Sequence, residues 1–448
     1  MRTLSRRVML VTAIIGLLQS SAFAADTEAP ASWIESPRLR AVEHALGTGN
    51  TAGVTEFWQE VEQSQTPLIE DVPDRPGDAL FTFLWHGAPG QDTLNVRLDG
   101  VFPMHSGKWN DTFRRLGETD IWYASYTLPR DAWLTYDVVA PRGLSASPER
   151  IGSYTMDGVE YEAFRDPLNH RLQPGEEVRF AMSSVAAPDA TSNPYLIPRP
   201  NLPPRPLDVL QVSSAILKNT REVRVYVPTG YKQIKGSLPL LLFFDGTQYA
   251  NRMHVTTVLD NLIADRKIPP VMAAFFDSPD RNQELSPNEP FQRFLASELM
   301  PRLRVAYRVS SDPRQNVVVG SSLGGITATY TAFTHPELFG NVISQSGSFW
   351  WWPDRRSKPS SLNTELTAES GWLVKKIAVE KKRPIRLYLE ANLWEGDSML
   401  LPNRMLSSIL QGKGYSFTYR EHPGAHAALY WMQTLPEAMV QMLGNSSR

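Results

Sequence analysis

The chain has 448 residues, which is the length of two domains rather than one, and its 42% of hydrophobic residues is sufficient for a core in each. Its formal net charge of -2 gives no indication of the basic surface that nucleic-acid binding requires. It has no cysteine, which excludes disulfides, a thiolate nucleophile and a cysteine-bound zinc site, and we predict neither a metal nor a cofactor.

Residues 1–24 have the organisation of a signal peptide. Three arginines among the first seven residues precede the mostly apolar run Met9–Leu18, and Ala22–Ala24 forms an A-x-A cleavage site. The apolar run is too short to cross a bilayer, which takes about 20 residues. We therefore predict a periplasmic protein that starts at Ala25 and is not inserted in the membrane. Arg6–Arg7 also fit a twin-arginine signal, so both export routes stay open.

Residues 25–182 are predicted to form an antiparallel β-sandwich domain. After short helical patterns over residues 33–64, the chain consists of short segments rich in aromatic and β-branched residues, separated by turn signals. The predicted strands include Ala79–Leu84, Asn95–Leu98, Trp122–Leu128 and Ala132–Val139. Residues 183–207 then contain seven prolines, which predicts a stiff linker.

Residues 208–448 alternate between strands and helices. This pattern is typical of an α/β domain with a mostly parallel sheet and helices on both faces. The run Leu238–Phe244 is continuously apolar, as expected of a strand that is covered on both faces. The predicted strands are Arg221–Val227, Leu238–Phe244, Val271–Phe276, Asn316–Val319, Asn341–Ser344, Ile385–Leu389 and Ser416–Arg420.

The segment Gly320–Gly324 fits the pattern G-x-S-x-G. It lies between a predicted buried strand and a predicted helix, and such a sharp strand-to-helix turn raises the middle serine above the sheet. We therefore predict that Ser322 is the nucleophile of an α/β-hydrolase-type serine esterase. The neighbouring Ser321 is expected to point elsewhere.

A serine nucleophile needs a histidine base and an acid that orients it. Along α/β-hydrolase chains the acid follows the serine, and the histidine comes last. Of the late histidines, His426 lies in a turn after the last strand and is the predicted base, with His422 as the alternative. The acid is expected after the strand Ile385–Leu389. The residues alone leave Glu395 and Asp397 open, whereas Glu390 is close enough to the strand to be a buried structural residue.

The oxyanion hole is expected to combine two backbone N–H groups. One is that of Leu323, directly after the nucleophile. The other is assigned to the loop after Leu238–Phe244, at Gly246 or Thr247, because a glycine allows the backbone to come close to the substrate.

Taken together, these motifs resemble the enterochelin (enterobactin) esterase family of siderophore hydrolases over most of the mature chain. The segments that carry the resemblance are Phe83–Trp85, Leu116–Trp122, Asp166–Asn169, Leu242–Gly246, Arg281 with Glu284–Leu285, Gly320–Gly325, Ser344–Ser348 with Trp350 and Trp351, and Gly424–Ala428. The sequence departs from the family at Ala427, where aspartate is usual, and at Ala425, where glycine is common. Both departures concern the loop around His426.

The resemblance implies a two-domain enzyme that hydrolyses the serine trilactone of a ferric triscatecholate siderophore, without an obligate protein partner. Ser322 and His426 match the family's nucleophile and base, and Glu395 matches its loop carboxylate better than Asp397 does. Some relatives use a Ser–His dyad, which keeps a dyad as an alternative. Arg281 matches an arginine that holds the anionic substrate.

Two further substrate contacts have physical reasons. Arg281 follows Val271–Phe276 at the carboxyl end of the sheet, where such folds bind ligands, although it could instead pair with Asp280 or Glu284. Trp350 and Trp351 follow another strand at the same edge and are predicted to stack on catechol rings. A hydrophobic plug between the domains is the alternative for these tryptophans.

The leading functional hypothesis is a periplasmic siderophore esterase with a ferric catecholate substrate. An exported feruloyl or acetyl esterase acting on polysaccharide, with the sandwich as an accessory module, is the second hypothesis. A binding protein on an inactive hydrolase fold is the third, and the presence of both Ser322 and His426 argues against it. A comparison of products from ferric enterobactin and a feruloylated sugar distinguishes the three.

Overall fold

The computed structural model describes residues 35–87, 97–100, 113–142, 150–156, 159–172, 181–353 and 371–444. The predicted signal peptide lies outside these residues, as do the first two residues of the predicted strand Asn95–Leu98.

Two helices, α1 (Pro37–Gly47) and α2 (Ala52–Ser64), precede the strands of the first domain. Ser36 caps α1, because its hydroxyl accepts a hydrogen bond from the N–H of Leu39. Pro37 takes the first helical position, where the chain needs no N–H donor.

Within the described residues, nine strands follow and form two antiparallel sheets. The strands are β1 (Leu68–Asp71), β2 (Asp78–His86), β3 (Arg97–Gly100), β4 (Arg114–Arg115), β5 (Ile121–Pro129), β6 (Trp133–Pro141), β7 (Arg150–Met156), β8 (Val159–Phe164) and β9 (Ser183–Ala186). One sheet has the order β1-β2-β5-β4, and the other has the order β3-β6-β8-β7 with β9 also paired to β6. This arrangement confirms the predicted antiparallel architecture.

Strand β2 is buried on both faces, which explains why it lacks alternating polar residues. Phe83 faces the second sheet and contacts Tyr136 edge-on, with ring centroids 4.7 Å apart. Leu84 faces the opposite way, into a small core under α1 and α2 that includes Leu39 and Phe57. The two helices therefore cover the outer face of the first sheet.

The predicted linker is shorter than expected and does not separate the domains. Its first four residues form β9, which pairs with β6. Further along, the Asn193 side chain donates to the backbone carbonyl of Gln433, and the Asn261 side chain donates to the carbonyls of Tyr195 and Ile197. These contacts hold the proline-rich segment against the second domain.

The second domain is the predicted α/β domain. Its elements are β10 (Asp208–Ser214), β11 (Asn219–Tyr226), β12 (Leu240–Phe243), α3 (Val255–Ala264), β13 (Met272–Phe276), α4 (Arg281–Glu284), α5 (Glu289–Phe294), α6 (Met300–Tyr307), β14 (Asn316–Ser321), α7 (Leu323–Thr334), β15 (Asn341–Gln345), α8 (Trp372–Val379), β16 (Arg386–Asn392), α9 (Asp397–Gly412), β17 (Ser416–His422) and α10 (Ala428–Leu443). In the part of the chain that the structure describes, the sheet has eight strands in the order β10-β11-β13-β12-β14-β15-β16-β17. The pairs β10/β11 and β11/β13 are antiparallel, and the other pairs are parallel.

The sheet topology determines where a site can form. From β12 the chain crosses to β13 on one side, and β14 then lies on the other side of β12. The crossovers therefore diverge beside β12, and open α/β sheets bind ligands at the carboxyl ends of strands next to such a switch point. The loops that follow β12 and β14 meet there.

The two domains share one continuous apolar core. Tyr136 and Val138 of the sandwich belong to the same cluster of buried side chains as Leu429 and Leu435 of α10. Since α10 directly follows the His426 loop, the sandwich supports one wall of the candidate site. None of the helices in the described ranges is long and apolar enough to span a bilayer.

Candidate active site

Ser322 occupies a strained turn between β14 and α7. Its φ of 56° and ψ of -122° place a non-glycine residue in the left-handed half of conformational space, and a residue is held in such a conformation only when its surroundings impose it. A Cβ atom at Gly320 would lie 2.3 Å from the carbonyl carbon and oxygen of Gly324. The turn therefore closes only because residue 320 is glycine.

Neighbouring groups hold the nucleophile turn on both sides. The N–H of Ser322 donates to the carbonyl of Gln345, and the N–H of Ser348 donates to the carbonyl of Ser322. The Ser322 hydroxyl lies 3.3 Å from that of Ser348. Ser321 is buried, and its hydroxyl accepts a hydrogen bond from the Gln248 side chain.

The structure brings Glu395 to His426. Nδ1 of His426 lies 3.1 Å from Oε1 of Glu395, whose side chain is fully buried, whereas the histidine side chain is 38% exposed. Because an ionised carboxylate only accepts hydrogen bonds, this contact favours the tautomer with the proton on Nδ1 and leaves Nε2 to act as a base. The N–H of Asn392 also donates to Glu395 and helps to orient it.

The other acid and base candidates lie elsewhere. Asp397 is exposed and begins α9, with no hydrogen bond to His426 among the described residues. His422 lies beside Glu390, with 3.7 Å between Nε2 and the carboxylate, and burial lowers the pKa of His422. His335, at the end of α7, contacts Glu337.

Glu390 forms a buried polar cluster beneath the site. Its Oε1 accepts hydrogen bonds from the side chains of Gln345 at 2.7 Å and Thr434 at 2.6 Å. The same Gln345 amide donates to the backbone carbonyl of Trp431. Burial raises the pKa of Glu390 to about 7, and the nearby carboxylates of Glu395 and Glu437 also act in this direction. Glu390 therefore links the sheet to α10 and makes no contact with His426 among the described residues.

The structure favours one pair of N–H donors, Leu323 and Gly246, for the expected oxyanion hole. Leu323 opens α7, where backbone N–H groups have no acceptor within the helix. In the loop after β12, the N–H of Thr247 donates to Asp277 and that of Gln248 donates to the carbonyl of Asp245. Within the described chain, the N–H of Gly246 has no such acceptor, so Gly246 is the better second donor.

The loop at residue 246 lies so close to the backbone of β13 that only glycine fits there. A Cβ atom there would lie 2.4 Å from the N atom of Phe276 and 2.6 Å from the carbonyl carbon of Phe275. The residue before it, Asp245, has a φ of 52°. The loop is thus pressed against β13, and its conformation depends on the groups that hold it.

Arg281 is one of those groups. Its Nε and Nη2 donate to the two carboxylate oxygens of Asp245 at 2.7 and 2.8 Å. Burial alone lowers the pKa of Arg281, but the hydrogen bonds and charge of Asp245 outweigh it and raise that pKa. Neither expected alternative partner is used in this way: Glu284 pairs with Arg221, and the Asp280 side chain caps α4.

The prediction that tryptophans after β15 stack on substrate is wrong for Trp351. Trp351 is 6% exposed and lies in a core with Phe349 and Leu373, near Trp372 at 6.3 Å between ring centroids. Trp350 is half-buried, and its indole N–H donates to the sulfur of Met399. The alternative of a plug between the domains is also wrong, because this core lies within the catalytic domain. Burial is favourable for these rings because each removes a large apolar surface from water.

Ser322 and His426 line one cleft of about 520 Å³. The sequence predicted Ser322, His426 and Arg281 there but missed others. The further lining residues are Met182, Gln248, Arg252, Ser321, Ala427, Ala428 and Trp431. A signal existed for Arg252, which lies seven residues after Asp245 at the predicted ligand-binding edge. No local pattern identifies Met182, which comes from the sandwich. Within the described ranges, no group of three or more metal-ligating side chains is present.

Replacing Glu395 by glutamine should lower kcat by roughly 10³-fold or more, because the amide no longer favours the reactive histidine tautomer. Asp397→Asn, the matched control, should stay within about threefold of wild type, because Asp397 is exposed and apart from His426. Steady-state kinetics on an aryl ester measures both. A crippled Asp397→Asn enzyme would make Asp397 the acid, and two active variants would indicate a Ser–His dyad.

Replacing Arg281 by alanine should lower kcat/KM for neutral and anionic esters alike, by about tenfold to a hundredfold. The reason is that Asp245 loses its bidentate partner and the Gly246 donor shifts, and loss of one oxyanion donor costs about 10²–10³ in kcat. The kinetics are measured on a neutral and an anionic ester of the same size. A loss confined to the anionic ester would instead make Arg281 a direct substrate ligand.

Comparison with known proteins finds similar proteins over both domains. Residues 214–442 match the model of the family described as putative esterase, and residues 80–196 match that described as enterochelin esterase, N-terminal. The iron(III) enterobactin esterase of Dickeya dadantii is 28% identical over 402 residues, which cover 85% of this chain and 91% of that protein. The iron(III) salmochelin esterase of Escherichia coli is 26% identical over 417 residues, which cover 91% and 98%.

Solved structures show the same two-domain architecture. The ferric enterobactin esterase of Salmonella typhimurium superposes with a TM-score of 0.66 at 26% identity, covering 84% of this chain and 96% of that one. The Shigella flexneri enterobactin esterase, crystallised in the presence of enterobactin, gives a TM-score of 0.65 at 25% identity over 84% and 96% of the two chains. The chain therefore belongs to the enterochelin esterase family and is a carboxylic ester hydrolase with an α/β-hydrolase-type catalytic domain.

Proposed function

We propose that this protein is a periplasmic siderophore esterase that hydrolyses the ester bonds of a ferric triscatecholate trilactone and so helps to release its iron. The observation that carries the proposal is the cleft in which Ser322 and His426 lie together with two arginines, Arg252 and Arg281. Such a cleft suits an anionic ester, and relatives that share both domains are named for iron(III) enterobactin and iron(III) salmochelin.

In the first half of the reaction, Oγ of Ser322 attacks the ester carbonyl carbon. Nε2 of His426 takes the hydroxyl proton as the new C–O bond forms, and Glu395 stabilises the resulting imidazolium. The negative oxygen of the tetrahedral intermediate accepts hydrogen bonds from the N–H groups of Leu323 and Gly246. The bond from the carbonyl carbon to the substrate's own serine oxygen then breaks, and His426 donates its proton to that leaving oxygen.

In the second half, water hydrolyses the acyl-enzyme. His426 takes a proton from the water as its oxygen attacks the acyl carbon, and the same two N–H groups hold the second oxyanion. When the intermediate collapses, Oγ of Ser322 leaves and recovers the proton from His426. Each cycle consumes one water and opens one ester bond to a carboxylic acid and an alcohol.

A product assay tests the proposal. Purified protein is incubated with ferric enterobactin or with a feruloylated oligosaccharide, and products are separated by chromatography and weighed by mass spectrometry, with Ser322→Ala as the blank. Linear or monomeric fragments of the siderophore are expected. Release of ferulate without cleavage of the siderophore would overturn the proposal in favour of a polysaccharide esterase.

Export is tested separately. The mature protein is expected to begin at Ala25 and to be released with the periplasmic fraction, because an A-x-A site follows a short apolar run. N-terminal sequencing of fractionated protein measures both properties. Protein with an intact Met1 in the cytosolic fraction would contradict the proposed location and leave the esterase activity unaffected.

A further inference from the structure

Gln345 is a fully buried polar residue at the end of β15, beside the nucleophile turn. Its backbone pairs in register with Ser321 of β14 on one side and with Glu390 of β16 on the other. Its carbonyl accepts the hydrogen bond from the N–H of Ser322. A buried amide side chain is stable only when hydrogen bonds replace those that it made with water. Its partners therefore show what the side chain holds in place.

The side chain of Gln345 bonds to two other elements of the catalytic domain. Its nitrogen donates to the carboxylate of Glu390 at 2.7 Å and to the backbone carbonyl of Trp431, on α10, at 2.8 Å. Its oxygen accepts a hydrogen bond from the hydroxyl of the buried Tyr249 at 3.1 Å. Because a backbone carbonyl can only accept hydrogen bonds, the NH2 group has to face α10 and the oxygen has to face Tyr249.

Tyr249 connects this amide to the loop that supplies the oxyanion donor. Tyr249 belongs to a π-helical turn, Gln248–Arg252, that begins directly after that loop. The backbone N–H of Tyr249 donates to the carbonyl of Asp245, the residue before Gly246. The hydroxyl of Tyr249 thus fixes the turn to β15, while its backbone holds the start of the oxyanion loop.

Trp431 connects the same amide to the catalytic base. It lies in the first turn of α10, and its ring packs edge-on against the ring of His426 with centroids 5.0 Å apart. The indole N–H of Trp431 donates to the hydroxyl of Ser346, the residue after Gln345. Two neighbouring residues of β15 and its loop therefore hold both the backbone and the ring of Trp431, which forms a wall for the histidine.

We propose that Gln345 is a positioning residue whose buried amide sets where the nucleophile, the catalytic histidine and the oxyanion donor lie relative to one another. These three groups come from three different loops, and a displacement of about 1 Å can cost about 10²-fold in rate. A primary amide suits this role because it offers two donors and an acceptor in one plane. The inference rests on the catalytic roles given in the proposed function, but it does not depend on a siderophore as the substrate.

The test replaces Gln345 by methionine, a straight side chain of similar length without the amide group, and measures hydrolysis of 4-nitrophenyl acetate. We expect kcat to fall by about tenfold to a hundredfold because the catalytic groups shift. KM should stay within about threefold of wild type, because Gln345 lies outside the set of described cleft residues. Tyr249→Phe, which removes one hydroxyl, should lower kcat by about three- to tenfold. The double variant should be no slower than Gln345→Met, because the two side chains act as one unit.

Gln292→Met is the matched control. Gln292 is also a buried glutamine of the catalytic domain, on α5, and its side chain has no hydrogen-bond partner within the described ranges. Its replacement should leave kcat within about twofold of wild type. Each variant is assayed well below the melting temperature that calorimetry gives for it, so that a lower kcat is not a loss of folded protein.

Wild-type kcat in Gln345→Met, an equal loss in Gln292→Met, or effects that multiply in the double variant would overturn the inference. If Gln345→Met does not fold, Tyr249→Phe decides, and an unchanged kcat in that variant overturns it. If wild type leaves ferric enterobactin intact while Gln345→Met loses kcat on 4-nitrophenyl acetate as expected, the proposed substrate fails and the inference stands.

Discussion

Replacement of Ser322 by alanine is expected to abolish ester hydrolysis and to leave the fold intact. The variant loses the atom that forms the acyl-enzyme, so kcat should fall by roughly 10⁵-fold or more, as expected when the nucleophile of a serine hydrolase is removed. The fold should survive because the hydroxyl makes only a 3.3 Å contact with Ser348, while the backbone bonds of the turn remain.

His426→Ala should cause a loss of similar size, because the serine hydroxyl is a poor nucleophile without its base. The double variant should be no slower than either single variant, since residues that act as one unit do not contribute additively. Steady-state kinetics and thermal unfolding measure activity and fold. Wild-type turnover in either single variant would falsify the assignment of the nucleophile and base.

Replacement of Gly320 by alanine is expected to damage both stability and activity. The added Cβ would lie 2.3 Å from the Gly324 carbonyl group, and these backbone atoms belong to the first turn of α7 and cannot move independently. Overpacking of this kind costs about 3 kcal/mol, which lowers the melting temperature of a domain of this size by about 6–12 °C. The displaced Ser322 should lose kcat by about a hundredfold.

Gly412→Ala provides the matched control for this change. Gly412 ends α9, and a Cβ there would meet nothing within 4 Å. Its substitution should leave activity unchanged and hold or slightly raise the melting temperature, because alanine favours the helix and restricts the unfolded chain. Calorimetry and kinetics on both variants decide the matter. Equal behaviour of the two variants would show that the turn at Ser322 tolerates a side chain at residue 320.

The distribution of apolar residues along the chain was enough to predict both domains. Every residue of Leu240–Phe243 is buried, as the continuous apolar run predicted, and the short strands of the first domain pair in antiparallel sheets. The turn at Ser322 was predictable from neighbouring residues, because Gly320 is needed for the close contact with the carbonyl group of Gly324, four residues further on. These features depend on local geometry, which the order of residues along the chain specifies directly.

The partners of charged side chains were decided by the tertiary structure. Arg281 meets Asp245, 36 residues away, instead of its sequence neighbours Asp280 and Glu284, and His426 meets Glu395 across 31 residues. In each case the sheet brings the ends of different strands to one edge. Several carboxylates follow those strands in the sequence, but only one of them points toward the arginine or the histidine. The sequence alone could not choose between them.

Burial of large side chains and the composition of the cleft were decided in the same way. Trp351 and Trp350 follow a strand at the catalytic edge. Trp351 is nevertheless buried in the core beside α8, and Trp350 is partly buried against the same core. Met182 reaches the cleft because the sandwich packs on α10. By itself the sequence determined the two folds, the nucleophile turn and the histidine loop. Only the packing of one domain on the other, and of loops on the sheet edge, determined which side chains face the substrate, because that outcome depends on contacts between residues far apart in the chain.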